Sequence, residues 1–188
     1  MNDPRVRIYL ASSLDGFIAG SDHDLSWLDS ADVAHAAGET MPPGALDYPE
    51  FIQDIGALLM GRRTYDVVRG FGVPWPYGSR PVLVATRRPL DDDPPATVRA
   101  VQGSIHELVA QARDAAAGKD VYLDGGVLIR QAAEADLIDD LTITLAPIAL
   151  GSGIPLFAGM ERRYPLEIVS HHPHVGGMLQ LRMRPKRG

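Results

Sequence analysis

The chain has 188 residues, 45% of them hydrophobic and 22% charged, which calls for one globular domain with a real core and excludes a disordered chain. Its net charge of −6 argues against general nucleic-acid binding, and no apolar run reaches the ~18 residues that a membrane-spanning helix needs. With no cysteine, disulfides, thiolate zinc sites and cysteine nucleophiles are excluded, and a cytoplasmic location fits.

In chain order, a first strand is expected over Val6–Ser12, where Val6, Ile8 and Leu10 alternate with Arg7 and Tyr9. Residues 38–49 (GETMPPGALDYP) read as a loop leading into a short helix. Ala57–Met60 is short and wholly apolar, as a buried parallel strand is, and a helix is expected over Arg62–Arg69. Strands at Pro81–Thr86 and Thr97–Val101 flank a turn at Asp91–Pro95. Ser104 and Glu107 have the spacing of a capping box. Behind them Ile105, Leu108, Val109, Ala112 and Ala116 recur at helical spacing up to a stop at Gly118. A strand at Val121–Asp124, a helix at Val127–Ala135 and a strand at Leu141–Pro147 follow. The last two strands, Leu166–His172 and Met178–Arg184, are joined by His174-Val175-Gly176-Gly177 and read as an antiparallel hairpin. This alternation predicts a single α/β domain over residues 1–188: a mostly parallel sheet flanked by helices, closed by the hairpin.

Ligands of open α/β sheets sit beyond the carboxyl ends of the strands, where helices begin. Three such junctions carry residues suited to an anion. At Gly61-Arg62-Arg63-Thr64 a strand turns into a helix with two arginines and a hydroxyl; the alternative is a tight turn with surface arginines. At Thr86-Arg87-Arg88 the pattern recurs. At Asp124-Gly125-Gly126-Val127-Leu128 a glycine pair permits close backbone approach, or simply a tight turn. From Gly61 to Arg88 six arginines face the single acid Asp66, in a chain that is acidic as a whole. Arginine forks match phosphate oxygens at two points, and a solvated basic face is the alternative. Neither the G-x-G-x-x-G fingerprint nor a Walker A motif is present. His171, His172 and His174 cluster without a carboxylate nearby in sequence, so no metal is expected.

These residues bring out a family likeness. Five segments carry it: Ala11-Ser12-Ser13-Leu14-Asp15-Gly16-Phe17-Ile18-Ala19, Met60 to Tyr65, Val82 to Pro89, Leu123-Asp124-Gly125-Gly126, and Leu137 through Phe157. The chain resembles the dihydrofolate reductase-like superfamily, most closely the branch built on the C-terminal reductase domain of the bacterial riboflavin-biosynthesis deaminase/reductase. The resemblance implies that fold and an NADPH-dependent reductase, a homodimer, acting on a pterin-, pyrimidine- or ribityl-like small molecule. It implies that Gly61, Arg62, Arg63 and Thr64 hold the adenosine-side phosphates and that Thr86, Arg87 and Arg88 face the 2′-phosphate. Gly125, Gly126, Val127 and Leu128 would lie under the pyrophosphate and nicotinamide, which Ala11 and Ile18 flank.

The resemblance also implies a proton donor. Asp47 stands four residues before Phe51, as the family's carboxylate does before its Phe; the other reading of Asp47 is a helix N-cap, and Asp54 is the alternative donor. Trp27 and Phe51 are expected beside the substrate. Two departures stand out. The Lys that usually precedes the first-strand Ala by two is Tyr9, and the Asp-x-Pro-x-Leu continuation of the riboflavin enzyme is absent after Thr64. Both leave ribosyl phosphate unsupported as the substrate. Dihydrofolate reduction, and nucleotide binding without turnover, are the other readings.

Overall fold

The computed structural model describes residues 3–28 and 39–187; Gly38, the first residue of the expected loop, lies outside them. In chain order the elements are β1 (Val6–Ser13), β2 (Phe17–Ala19), α1 (Tyr48–Gln53), β3 (Ile55–Gly61), α2 (Arg62–Arg69), β4 (Val82–Ala85) and β5 (Val98–Val101). There follow α3 (Ile105–Ala115), β6 (Asp120–Asp124), α4 (Gly126–Glu134), β7 (Asp140–Ala146), β8 (Ile154–Pro155), β9 (Leu166–Pro173) and β10 (Leu179–Pro185). Every expected strand and helix appears, with ends shifted by one or two residues. The short strands β2 and β8 were not anticipated; three and two residues are too few to show a period.

The main sheet has the order β5-β4-β3-β6-β1-β7-β10-β9. The six strands from β5 to β7 are mutually parallel, and β10 and β9 close the edge as an antiparallel pair. β2 and β8 pair separately and antiparallel. The chain lays β3, β4 and β5 outward on one side of β1, then returns to insert β6 between β3 and β1.

Residues alternate between two apolar layers because strand side chains point to opposite faces with a period of two. Val6, Ile8, Leu59, Leu83 and Leu123 join α3 and α4 in one layer. Leu58, Met60, Val82, Val84 and Tyr122 join Phe51 of α1 and Tyr65 of α2 in the other. Covering both faces is what makes β3 and β4 read as unbroken apolar runs. β9 carries a largely exposed side-chain row, as an edge strand does, so its pattern is weaker.

Gly56 shows how tightly α3 seats on the sheet. A Cβ there would lie 2.0 Å from the Ala116 carbonyl oxygen at the end of α3. Gly56→Ala is expected to cost about 3 kcal/mol, at the upper end of overpacking, because a backbone carbonyl has to move. The check is a lower denaturant midpoint at unchanged slope.

At the amino ends of the parallel strands, Arg7 is buried between Asp54 at 3.2 Å and Asp120 at 3.4 Å, with its guanidinium 4.9 Å from the centre of the Phe51 ring. Asp120 also binds Arg5 at 2.7 Å. Asp54, the alternative proton donor, therefore sits at the start of β3, the opposite end of that strand from the glycine-rich junctions. It balances a buried guanidinium there, and this corrects the expectation. The physical reason is topological: α1 enters the sheet at the amino end of β3.

Candidate active site

The carboxyl ends of β1, β3, β4 and β6 open into a cleft of about 680 Å³. Two helices begin on it. α2 starts directly after β3 with Gly61 as its N-cap, and α4 starts directly after β6 with Gly125 as its N-cap. Neither has a side-chain cap. The two longer-range packing helices differ: Asp47 caps α1 by accepting from the Glu50 N–H at 2.7 Å, and Ser104 and Glu107 cap α3 as a complete capping box. A helix N-terminus leaves donors without intrahelical partners, and capping side chains ordinarily satisfy them. At α2 and α4 the first-turn residues Arg62, Arg63, Thr64, Gly126, Val127 and Leu128 line the cleft instead.

The two junctions touch. Gly125 has φ +100°, and a Cβ on it would lie 2.6 Å from Thr64 Oγ1 and 3.6 Å from the Gly61 nitrogen. Only glycine fits that backbone and that space. A Cβ on Gly126 would meet Ile18 Cδ1 at 3.0 Å. Ile18 is brought over the start of α4 by β2, which pairs with β8, and Arg130 of α4 ties β8 down through the Pro155 carbonyl at 3.0 Å. Asp15 fixes the turn before β2: it accepts from Ser13 Oγ at 2.6 Å and from the Leu150 and Gly151 N–H groups at 3.1 and 2.7 Å. Those donors hold its carboxyl down at about 2.

The arginine island divides by role. Arg62 pairs with Asp66 one turn on, at 2.7 Å, and also donates to the Pro89 carbonyl. Arg69 pairs with Asp91 at 3.0 Å, and Arg80 donates to the Ile55 carbonyl at 3.0 Å. Arg63 reaches across the cleft mouth to His23 Nε2. Arg87 and Arg88 are exposed, and among the described residues they have no acidic partner. Thr86 shapes their turn, its Oγ1 accepting from the Arg88 N–H at 3.0 Å. Thr86, Arg87 and Arg88 follow Ala85, which lines the cleft, but stand outside its lining.

The far part of the cleft is aromatic. Tyr9, Tyr48, Tyr77 and Tyr122 line it. Asp124, at the end of β6, lies among them. Its Oδ1 accepts from the Gly125 N–H at 2.7 Å, and its Oδ2 takes the weaker share, at 3.3 Å, of a Tyr122 hydroxyl proton that goes mainly to the Tyr9 carbonyl at 2.8 Å. Both bonds favour the carboxylate, but burial disfavours it more and pushes Asp124 up to about 6. Burial and the Asp124 charge together push the Tyr48 phenol up to about 12, and Tyr77 and Tyr122 rise for the same reasons.

The cleft thus gathers Ala11, Ile18, Gly61, Arg62, Arg63, Thr64, Gly125, Gly126, Val127 and Leu128, ten of the residues singled out from sequence for a cofactor. Three residues expected at the reacting centre lie elsewhere. Asp47 spends a carboxylate oxygen on capping α1 and is not part of the cleft wall. Phe51 is fully buried behind that wall, stacked 4.8 Å from Tyr9 and edge-on to Tyr122 at 5.1 Å. Trp27 is buried with Ala146, Leu28 and Met178, and its neighbours Leu25 and Leu28 reach the cleft instead. Asp124 went unnoticed as chemistry because its strand-end position reads equally as a turn former. The tyrosines had a signal: Tyr9 and Tyr122 fall on the same face of adjacent strands.

A family model of the RibD C-terminal domain matches residues 4–179. The protein YwjB of Bacillus subtilis strain 168, described as uncharacterised, is 32% identical over 162 residues, covering 86% of this chain and 87% of its own length. A crystal structure titled as a putative riboflavin biosynthesis protein from Shewanella sp. PV-4 superposes with a TM-score of 0.82 at 30% identity, covering 97% of this chain and 99% of the other. Dihydrofolate reductase from Enterococcus faecalis, complexed with NADP(H) and RAB-propyl, superposes with a TM-score of 0.63 at 16% identity, covering 97% of both chains. At that identity the last match speaks for the fold, which is dihydrofolate reductase-like.

Proposed function

Because the chain belongs to the RibD C-terminal domain family, we propose that it is an NADPH-dependent reductase that delivers a hydride to a C=N or C=O bond of a small molecule. The observation that carries this reading is the contrast in helix caps. Glycine caps the two helices that open on the cleft, whereas side chains cap α1 and α3. Uncapped N-termini are anion sites, and two of them in contact suit a diphosphate. The absence of a Cβ at Gly125 is what lets the two helix starts approach this closely, with Thr64 Oγ1 against the Gly125 backbone.

In this reading the N–H groups at Arg62–Thr64 and Gly126–Leu128 hold the diphosphate. Ala11 and Ile18 flank the nicotinamide, and Arg87 and Arg88 meet the 2′-phosphate. Bound NADPH supplies a hydride, and a proton completes the two-electron reduction. Asp124 replaces Asp47 as the residue that holds this proton, on Oδ2, since Oδ1 is engaged by the Gly125 N–H. With its titration near 6, roughly a tenth of the carboxyl is protonated at pH 7 and the proton is readily given up.

The test is a fluorescence titration of the purified protein with NADPH and with NADH. NADPH is expected to bind more tightly, and added salt to weaken it. Arg87→Ala is expected to weaken NADPH by about 10- to 100-fold, the worth of one charge-assisted bond, and to leave NADH unchanged. Equal losses for both cofactors would remove the 2′-phosphate assignment, and no binding of either would overturn the reductase reading.

A further inference from the structure

The cleft is electrostatically one-sided. Among the described residues that line it, the basic side chains are Arg62, Arg63 and His23, all at the α2 end. The aromatic end has four tyrosines and Asp124 and, among the described residues, no cation. Two guanidiniums stand behind this end outside its lining, and the charge of one of them, Arg80, is felt at the Tyr48 phenol; both are engaged by the protein. Arg80 donates to the Ile55 carbonyl at 3.0 Å and the Tyr77 carbonyl at 3.5 Å, and Arg7 is held between Asp54 and Asp120 on the far side of Phe51.

The phenols are also divided. Tyr9 donates to the Leu46 carbonyl at 3.0 Å and Tyr122 to the Tyr9 carbonyl at 2.8 Å, so both are spent on the protein. Among the described residues the Tyr48 and Tyr77 hydroxyls have no hydrogen-bond partner, and both residues belong to the cleft wall. Burial keeps both phenols neutral at any working pH. This end therefore offers flat apolar walls, two unspent hydroxyls and one carboxyl. A phosphate placed here would meet a carboxylate with no cation on the described cleft wall to pair with, since Arg80 is engaged by backbone carbonyls, and that is costly. A flat ring with N–H groups meets stacking surfaces and acceptors.

Taking the reductase reading as its basis, we propose that the substrate is an uncharged planar nitrogen heterocycle carrying no phosphate, bound against the tyrosine wall, where Tyr9 and Tyr48 already meet edge to face, with its polar edge on Tyr48, Tyr77 and Asp124. This separates the chain from a ribosyl-phosphate reductase by the chemistry of its own cleft.

The test uses calorimetry on the full chain, with and without saturating NADPH. The probes are pterin, 5,6-diaminouracil, and the matched pair 5-amino-6-ribosylaminouracil and its 5′-phosphate. A neutral ring is expected to bind, and the 5′-phosphate to lower the affinity of its parent at least tenfold. Tyr48→Phe/Tyr77→Phe is expected to weaken the neutral ring at least tenfold while leaving NADPH affinity unchanged, which also reports that the variant is folded. A phosphorylated probe that binds as tightly as its parent overturns the proposal, as does a failure of every neutral ring to bind at millimolar concentration. If NADPH itself fails to bind, the reductase reading falls, and the probe ranking in the absence of NADPH still decides the preference of the aromatic end.

Discussion

Asp124→Asn is expected to lower kcat by about 10²- to 10⁴-fold, the usual contribution of a positioned proton donor, with little change in NADPH affinity. Asparagine keeps the shape: its Oδ1 still accepts from the Gly125 N–H, and its amide NH2, in the place of Oδ2, can donate to the Tyr122 hydroxyl, whose own proton goes to the Tyr9 carbonyl, so the titrating proton is removed with little rearrangement. Wild-type kcat is expected to be highest with the carboxyl protonated and to fall as pH rises through about 6; the variant should show no such limb. Stability supplies an independent reading. The folded carboxyl titrates near 6 and the unfolded one near 3.8, so the folded state binds the extra proton between those values. The wild type should lose on the order of 3 kcal/mol as pH rises from about 4 to about 7, and Asp124→Asn should lose much less. Denaturant midpoints across that range check the stability, and NADPH oxidation with a ring substrate checks the rate. An unchanged kcat would return the proton to water.

Gly125→Ala is expected to weaken NADPH at least 100-fold and to destabilise the fold by about 1–3 kcal/mol. Two effects act together. The backbone at φ +100° strains any L side chain, and the added methyl would sit 2.6 Å from Thr64 Oγ1, where the two uncapped helices meet. They separate in a double variant. Thr64→Ala in the Gly125→Ala background removes the clash but not the strain, so stability should recover in part while NADPH binding stays weak. A titration with NADPH and a thermal melt of the wild type, the single variant and the double variant distinguish these outcomes. Full recovery of binding would mean that the backbone conformation at Gly125 matters less than the free space beside it.

The two effects differ in reach. Asp124 is expected to govern turnover and leave binding alone, whereas Gly125 is expected to govern binding first. The residues are adjacent in the chain, at the end of β6 and the start of α4. Opposite signatures from neighbouring positions would therefore be hard to attribute to general damage.

What the sequence determined by itself was local. Apolar runs placed β3 and β4, because both faces of a parallel sheet are buried and no alternation is needed, while Val121-Tyr122-Leu123 placed β6 and the Leu/Ile–Thr alternation placed β7. The capping box placed α3, and glycine placed the starts of α2 and α4. The anion-suited junctions were legible for the same reason: a helix start, an arginine and a glycine are each read within a few residues. The tertiary structure alone decided which junctions touch and which charges are free. Arg62, Arg69 and Arg80 belong to one run of the sequence, yet each is bound by a group that only folding brings near, the Pro89 carbonyl, Asp91 or the Ile55 carbonyl. Asp47 and Asp54 looked like proton donors by spacing, but α1 enters at the amino end of β3, which spends one on a cap and the other on Arg7. Asp124 looked like a turn residue, and became the candidate acid because β6 is inserted between β1 and β3. That insertion sets its carboxyl among the tyrosines, where lost hydration outweighs two hydrogen bonds, and no local pattern in a sequence encodes a desolvation that depends on strand order.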